Sequence, residues 1–278
     1  MKAATIPKPI GDWTAQKLEY LDYYLQAYRT VTKGAREAYY IDLFSGCGDC
    51  IRKRNGYNVA GSPWRALRTI PPFQGYFFVE EVAQLANHLN TRIQQQGIQF
   101  AKVLIGDCNG PVLDEVLSGV PKTALSFAFL DPSGLQLYWP TVEKLAAHRI
   151  GRRKMELLIL YPYQMVIRRF ISNPQMRQAF TLFFGGDSWI GEYEESIECG
   201  EDTQTRRKRF VELYKNNLKS LNYKFVDDYG PMGYGKRPYY HVIFASDEGI
   251  GQKIMKDVWA KHRLIPGQLG YEPIKRPR

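Results

Sequence analysis

The sequence lacks the features that define several structural classes. It has only 4 cysteines among 278 residues, which are too few for a disulfide framework. It also has only 4 histidines. No stretch approaches the ~20 consecutive apolar residues of a membrane helix. The first residues contain no apolar segment typical of a secretory signal, and there is no repeat or low-complexity tract. We therefore expect a soluble, cytoplasmic protein with free thiols and no membrane partner.

Acidic residues are also scarce relative to basic ones. The chain has 38 lysines and arginines against 28 aspartates and glutamates, a net charge of +10. Residues 1–140 carry 14 basic and 12 acidic side chains, whereas residues 141–278 carry 24 and 16. Concentrated positive charge attracts polyanions such as nucleic acids. A merely solvated basic surface has the same composition, so charge alone leaves both interpretations open.

Hydrophobic patterning predicts the fold. Apolar runs at 38–44, 75–81, 101–107, 123–131 and 155–162 alternate with amphipathic stretches at 62–70, 82–96, 111–118 and 140–149. Continuous apolar runs are typical of strands covered on both faces, and strand–helix alternation indicates a parallel sheet. Residues 222–247 add an antiparallel hairpin, and 249–262 a closing helix. We predict an α/β fold with a doubly wound, mostly parallel seven-stranded Rossmann-like sheet.

Segments outside this alternation are predicted to decorate one domain. Residues 1–37 form an N-terminal extension with a helix over 12–33, and the domain proper spans 38–278. A helical insertion at about 164–221 comprises helices at 164–173, 174–184 and 205–221, with a loop-rich acidic segment at 185–202. The polar stretch 52–61, which contains several glycine and asparagine residues, is predicted to be a loop.

Candidate ligand-binding residues follow the first three strands. The first strand ends in an acidic residue and a Gly-x-Gly turn, at the sheet edge where open α/β folds bind ligands. A third glycine of the dinucleotide fingerprint is absent, which favours a nucleoside without a pyrophosphate. Carboxylates also end the second and third strands, where they can accept hydrogen bonds from a ribose and an adenine amino group. The candidate set is Asp42, Phe44, Ser45, Gly46, Gly48, Glu80, Asp107 and Cys108.

These motifs carry a family resemblance. The series IDLFSGCG, FVEE, LIGDCN, FLDPSG and LYP resembles class I S-adenosylmethionine-dependent methyltransferases. Over about residues 12–262 the chain most resembles the three-Cys-motif partner (TcmP) family, through GSPWRAL (61–67), FLDPSGLQLYW (129–139) and YYHVIFAS (239–246). The resemblance implies S-adenosylmethionine as cofactor and, in some genomes, a radical-SAM-like partner protein with three cysteines. It places Asp42, Ser45, Gly46 and Gly48 around the methionine, Glu80 at the ribose, Asp107 at the adenine and Asp131 beside the transferable methyl.

Catalytic candidates cluster after the fourth strand. Asp131 begins Asp-Pro-Ser-Gly where amino-methyltransferases carry Asp-Pro-Pro-aromatic, so Ser133 and Gly134 depart from that pattern. Candidates for the missing stacking surface are Tyr138 and Trp139, which lie close behind, and Tyr161 or Tyr163. An Asp-Pro pair is also a common turn, and this alternative stays open. Cytosine-C5 chemistry is discounted because no Pro-Cys pair supplies the thiolate. No metal site is predicted, since the C-x-x-C at 47–50 has no second pair.

Two basic clusters are candidates for binding phosphates. The first is Arg52, Lys53 and Arg54, in the loop after the glycine turn. The second is Arg206, Arg207, Lys208 and Arg209, which open the basic helix. The second cluster has an alternative role, because it can offset the seven carboxylates of segment 187–202. The function we expect is methyl transfer to RNA, DNA or a nucleic-acid-associated substrate. The alternative is a non-catalytic binding partner of a radical enzyme or nucleoprotein assembly.

Overall fold

The computed structural model describes residues 6–35, 37–151, 153–164, 174–234 and 237–263. The strands are β1 (Lys8–Ile10), β2 (Ala38–Asp42), β3 (Asp49–Arg52), β4 (Asn58–Ala60), β5 (Gly75–Glu80), β6 (Ala101–Ile105), β7 (Leu125–Leu130), β8 (Glu156–Tyr161), β9 (Phe225–Tyr234) and β10 (Arg237–Ser246). The helices are α1 (Asp12–Val31), α2 (Ser62–Leu67), α3 (Ala83–Gln95), α4 (Pro111–Ser118), α5 (Trp139–Ala147), α6 (Pro174–Phe184), α7 (Ser188–Glu198), α8 (Thr203–Ser220) and α9 (Gly249–Arg263). Within these ranges no helix is both long and apolar enough to span a bilayer.

Seven strands form one sheet in the order β6-β5-β2-β7-β8-β10-β9. The pairs β6–β5, β5–β2, β2–β7 and β7–β8 are parallel. Strand β10 runs antiparallel to both β8 and β9. The predicted doubly wound, mostly parallel seven-stranded sheet is therefore confirmed. Because the chain leaves β2 and then crosses to β5 on one side and later to β7 on the other, the carboxyl end of β2 lies at a topological switch point.

Each face of the sheet packs against helices, which explains the continuous apolar runs. Successive residues of a strand point to opposite faces. Tyr40 packs into the core on the side of α1, α3 and α9, while Ile41 packs into the core on the side of α4, α5, α6 and α8. Both side chains are fully buried. The sheet is therefore covered by helices on both faces.

The predicted loop at 52–61 is wrong in part. Residues 49–60 form a hairpin in which β3 and β4 pair antiparallel, and β1 adds in parallel with Lys8 opposite Cys50 and Ile10 opposite Arg52. These strands are only three or four residues long, so they carry too little alternation for a sequence pattern to reveal. The resulting three-stranded sheet brings the N-terminal extension to the carboxyl edge of the main sheet.

The acidic segment is not loop-rich either. Helix α7 occupies Ser188–Glu198 and buries Trp189 and Ser196. Two carboxylates of this helix, Glu192 and Glu195, pair with Arg209 of α8, so the charge density that favoured a loop is compatible with a helix. Most of the helix predicted over 164–173 lies outside the described residues.

Candidate functional site

A cavity of about 640 Å³ opens at the carboxyl ends of β2, β5, β6 and β7. We call it the main cavity. Its walls also include β1, α1 and the start of the β3–β4 hairpin, which close it from the N-terminal side. Predicted site residues that line it are Phe44, Ser45, Gly46, Gly48, Lys53, Glu80, Asp107, Cys108, Asp131 and Tyr138. The fold thus brings together side chains from Phe44 to Tyr138, which are distant in the sequence.

The glycine turn presents bare backbone to this cavity. The Ser45 amide and hydroxyl both donate to the Val79 carbonyl oxygen, at 3.0 and 3.1 Å, so the turn stays attached to β5. Gly46 and Gly48 have φ angles of 61° and 74°, which L side chains adopt only with strain. A Cβ added to Gly46 would meet no atom within 4 Å. The turn therefore leaves open space beside its backbone.

Glu80 fixes the turn and retains capacity for a ligand. Its Oε2 accepts from the Gly46 amide and its Oε1 from the Val82 amide, each at 2.9 Å. A carboxylate has about four acceptor positions. Two further donors, such as the two hydroxyls of a ribose, are therefore within the bonding capacity of this half-buried side chain.

Asp107 is positioned by a neighbour that sequence reasoning did not single out. Its Oδ1 accepts from the Asn109 amide and from Asn109 Nδ2, both at 2.9 Å. Asn109 Nδ2 also donates to the Gln136 carbonyl at 2.7 Å, and its Oδ1 accepts from the Tyr138 amide at 2.9 Å. Asn109 thus joins the loop after β6 to the loop after β7. It holds the predicted adenine-side and acceptor-side residues in one framework.

Asp131 forms an ion pair with Lys17 of α1. The side chains are 7% and 20% exposed for Lys17 and Asp131, so the pair is largely shielded from water. Tyr240 of β10 also lines the cavity, and the negative charge of Asp131 contributes, after burial, to raising its pKa to about 12. Neither Lys17 nor Tyr240 was predicted. The sequence shows only that Lys17 lies four residues before Leu21 on the apolar face of α1, and it does not indicate the pairing with Asp131.

Asp42 does not line the main cavity, which corrects its predicted contact with the cofactor. The residue is fully buried at the end of β2, and its Oδ1 accepts from the Phe44 amide at 3.1 Å. Burial raises the pKa of Asp42 to about 7, although the Ser62 side chain and the Phe44 amide oppose the shift. Asp42 therefore supports the turn from below.

Tyr161 is likewise misplaced by the sequence prediction. Its ring is fully buried and packs between Phe183 of α6 and Tyr214 of α8, with ring centroids 5.6 and 5.4 Å away. The last residue of β8 faces the core under these helices. Of the four predicted stacking residues, only Tyr138 lines the main cavity.

The arginines of α8 serve mainly internal contacts, which corrects their prediction as exposed phosphate ligands. Arg206 is only 9% exposed and donates to Ser196 Oγ at 2.7 Å. Arg209 pairs with three carboxylates that surround it, Glu192, Glu195 and Glu201. Arg209 therefore shows the alternative role, charge compensation of the acidic segment, whereas Arg206 is held by a hydroxyl and a backbone carbonyl of that segment.

The remaining basic candidates differ in their surroundings. Arg207 lies over the Tyr163 ring at 5.6 Å, while Lys208 is exposed. Arg52 pairs with Asp12 at 3.5 Å. Lys53 and Arg54 are exposed at the tip of the β3–β4 hairpin, and Lys53 also lines the main cavity.

The cysteines of this region are free thiols. Cys47 Sγ lies 3.0 Å from the Asp49 carbonyl oxygen, to which it donates. Burial raises the pKa of Cys50 to about 11 and that of Cys108 to about 12. Among the residues that the structure describes, no three His, Cys, Asp or Glu side chains are grouped so as to hold a metal ion.

Comparisons with known proteins return distant structural similarities. No protein-family model matches the chain, and no curated protein matches its sequence. An rRNA methylase from Streptococcus thermophilus is 12% identical with a TM-score of 0.41, covering 84% of this chain and 95% of that chain. TYW2 from M. jannaschii, in complex with AdoMet, is 10% identical with a TM-score of 0.41, covering 84% and 74%. A SAM-dependent O-methyltransferase from Thermotoga maritima is 11% identical with a TM-score of 0.43, covering 88% and 67%. Because these values are low, the function has to be inferred from the chain's own residues.

Proposed function

We propose that the protein is an S-adenosylmethionine-dependent methyltransferase that acts on a nucleic acid or a nucleic-acid-associated substrate. One observation carries the proposal. A bare glycine turn, two carboxylates suited to a nucleoside and a third carboxylate paired with a lysine all border one cavity at the switch point of the sheet. Open α/β sheets bind nucleoside ligands at this position.

The residues of the main cavity fit this cofactor. Gly46 offers open space beside its backbone, where a side chain would otherwise stand. Glu80 has acceptor positions for the ribose hydroxyls, and Asp107 is held at the cavity wall as an acceptor for the adenine amino group. When bound, S-adenosylmethionine would supply an electrophilic methyl group on a positively charged sulfur.

The other side of the cavity is suited to an acceptor that carries an N–H or O–H group. The Lys17 ammonium binds one oxygen of Asp131. The other lone pairs of this carboxylate can accept a hydrogen bond from the group to be methylated and so orient it. Tyr138 borders the same space with a flat ring. Catalysis by such a site rests chiefly on proximity and orientation.

A nucleic-acid acceptor is favoured by the cationic rim of the cavity. Lys53 and Arg54 at the hairpin tip are exposed, and Lys53 lines the main cavity. If they contact two phosphates of a single strand, replacing both by Gln should flatten the log–log salt dependence of RNA binding by about 1.4. The Arg209→Gln variant should keep the slope of the unaltered chain, because Arg209 is already paired with carboxylates and does not contact phosphates. Equal slopes for all three proteins would remove this support for nucleic acid.

The proposal is tested by methyl transfer. The purified chain is incubated with S-adenosylmethionine labelled on the methyl group and with bulk RNA, DNA or protein. We expect label in a nucleic-acid fraction, and loss of transfer in Asp131→Asn with cofactor affinity retained within about threefold, or ~0.7 kcal/mol. Label in protein alone would contradict the nucleic-acid acceptor, and loss of both properties would contradict the role of Asp131.

A second candidate function is a non-catalytic binding partner, and one observation favours it. Lys17 and Asp131 neutralise each other within the acceptor side of the cavity. The resemblance to the TcmP family suggests a radical-SAM-like three-cysteine protein as the partner, and the four free thiols fit a reducing compartment such as the cytoplasm. Cofactor binding without transfer to any fraction would favour this function over the first.

A further inference from the structure

A second cavity of about 570 Å³ adjoins the main cavity and has no role in the proposed methyl transfer. We call it the side cavity. It lies among β3, β4, α1, α2 and α3, and Cys50 of β3 lines both cavities. A volume in this range is typical of sites for small organic ligands.

Basic side chains outnumber acidic ones in the lining of the side cavity. Four arginines and one histidine line it against two carboxylates: Arg52, Arg65, Arg68, Arg92 and His88 against Glu19 and Asp49. Burial raises the pKa of Glu19, although the charges of Arg65 and Arg52 oppose the shift. Arg65 is held by Asp22 at 3.1 Å, whereas Arg68 is exposed at the rim. The excess of guanidinium groups favours an anionic ligand.

Asp49 organises part of this lining into a fixed arrangement. Its Oδ1 accepts from Trp64 Nε1 at 3.1 Å, and its Oδ2 lies 2.8 Å from His88 Nε2 and 3.0 Å from Arg92 Nη1. The Arg92 guanidinium lies over the Trp64 ring, 5.7 Å from its centre. The hydrogen bond to Asp49 uses only one of the guanidinium donors of Arg92, and the Arg92 side chain remains 42% exposed. A preorganised donor group thus stands at the cavity wall.

Aromatic and apolar surface completes the side cavity. Tyr57 at the rim is 71% exposed, although it is a large ring. Pro7, Val59 and Ala60 supply apolar wall. A ligand that matches this lining has a planar, largely apolar part for the ring and walls and a compact anionic part for the arginines. Bases stack on aromatic side chains, and arginines bind phosphates through paired donors.

We infer that the side cavity binds a nucleotide, with the phosphate at Arg68 and Arg92 and the base against Tyr57. The nucleotide is either free or one unit of a single strand, and both sources present the same chemistry. The inference goes beyond the proposed methyl transfer, since none of these three residues lines the main cavity.

Calorimetry with AMP tests the inference. AMP is titrated into the full chain saturated with S-adenosylhomocysteine, which keeps AMP out of the main cavity. Arg68→Gln and Arg92→Gln should each weaken AMP binding at least about tenfold, the cost of losing a charged hydrogen bond. Tyr57→Ala should weaken it at least about fivefold through lost stacking. Lys219→Gln, an equal charge change on an exposed residue of α8, should leave the affinity unchanged.

The outcomes separate the alternatives. Inorganic phosphate should bind at least about tenfold more weakly than AMP if the base contributes stacking. Equal affinity for phosphate and AMP, no AMP binding, or full affinity in both arginine variants would overturn the inference. An adenine tetranucleotide that binds more tightly than AMP and responds to the same variants identifies a strand as the source, and equal affinity identifies a free nucleotide. If S-adenosylhomocysteine itself does not bind, the proposed function fails, while the arginine variants still decide the side cavity.

Discussion

Alanine substitutions at two glycines of the same turn should affect ligand binding and stability differently. Gly46 and Gly48 both have left-handed φ angles, 61° and 74°, so an alanine at either position costs about 1–2 kcal/mol of backbone strain. A Cβ on Gly46 meets no atom within 4 Å, whereas a Cβ on Gly48 would lie 2.8 Å from Leu89 Cδ1 and 2.9 Å from Trp64 Nε1. Overpacking of this kind adds about 1–3 kcal/mol. We expect Gly46→Ala to lower the unfolding free energy by about 1–2 kcal/mol and Gly48→Ala by about 2–5 kcal/mol.

Ligand affinity should follow the opposite order. The methyl group of Gly46→Ala enters the open space beside the turn, so we expect it to weaken S-adenosylhomocysteine binding at least about tenfold, or ~1.4 kcal/mol. The methyl group of Gly48→Ala points into packed protein and should affect affinity less. Urea denaturation gives the stabilities, and calorimetry on the folded variants gives the affinities. Unchanged affinity in Gly46→Ala would show that no ligand approaches the backbone there.

Three further predictions concern charge. Lys17→Met should lower the unfolding free energy by about 2–3 kcal/mol, below the 3–5 kcal/mol of a fully buried pair, and adding Asp131→Asn should recover at least about 1 kcal/mol in urea denaturation. Burial raises the pKa of Glu156 to about 7 from 4.5, so the native state retains a proton that the unfolded chain releases, and stability falls as pH rises through this window. Glu156→Gln should flatten that fall by up to about 1.4 kcal/mol per pH unit, measured by denaturation between about pH 5 and about pH 7. Arg209→Gln should lower the melting temperature at low salt and much less in about 1 M salt, where the Debye length is about 3 Å.

The parts of the fold that were predictable from sequence are those with long, two-sided burial. Strands such as β2 and β7 carry largely apolar runs because helices cover both of their faces. The ends of β5, β6 and β7 placed Glu80, Asp107 and Asp131 at one edge of the sheet, and all three residues line the main cavity. Topology alone carries that information, since parallel strands end on the same side.

The parts that were missed depend on long-range packing. Strand β1 is only three residues long and forms its ladder with a hairpin more than 40 positions away. Lys17 reaches Asp131 because α1 crosses the carboxyl edge of the sheet, and nothing local in the sequence indicates this crossing. Tyr161 was misjudged because strand ends look alike in sequence whether they face a cavity or a helix. Arg206 was misjudged because the fold of the acidic segment decides which arginines are buried.

The central claim, that the main cavity binds S-adenosylmethionine, is tested most directly by calorimetry with S-adenosylhomocysteine. The account predicts binding of one molecule per chain, weakened by about 10- to 100-fold in Glu80→Gln, since one charged acceptor contributes about 1.5–3 kcal/mol. Glu115→Gln, which removes an exposed charge on α4, should bind like the unaltered chain. No binding by the unaltered chain, or equal binding by Glu80→Gln, would contradict the account.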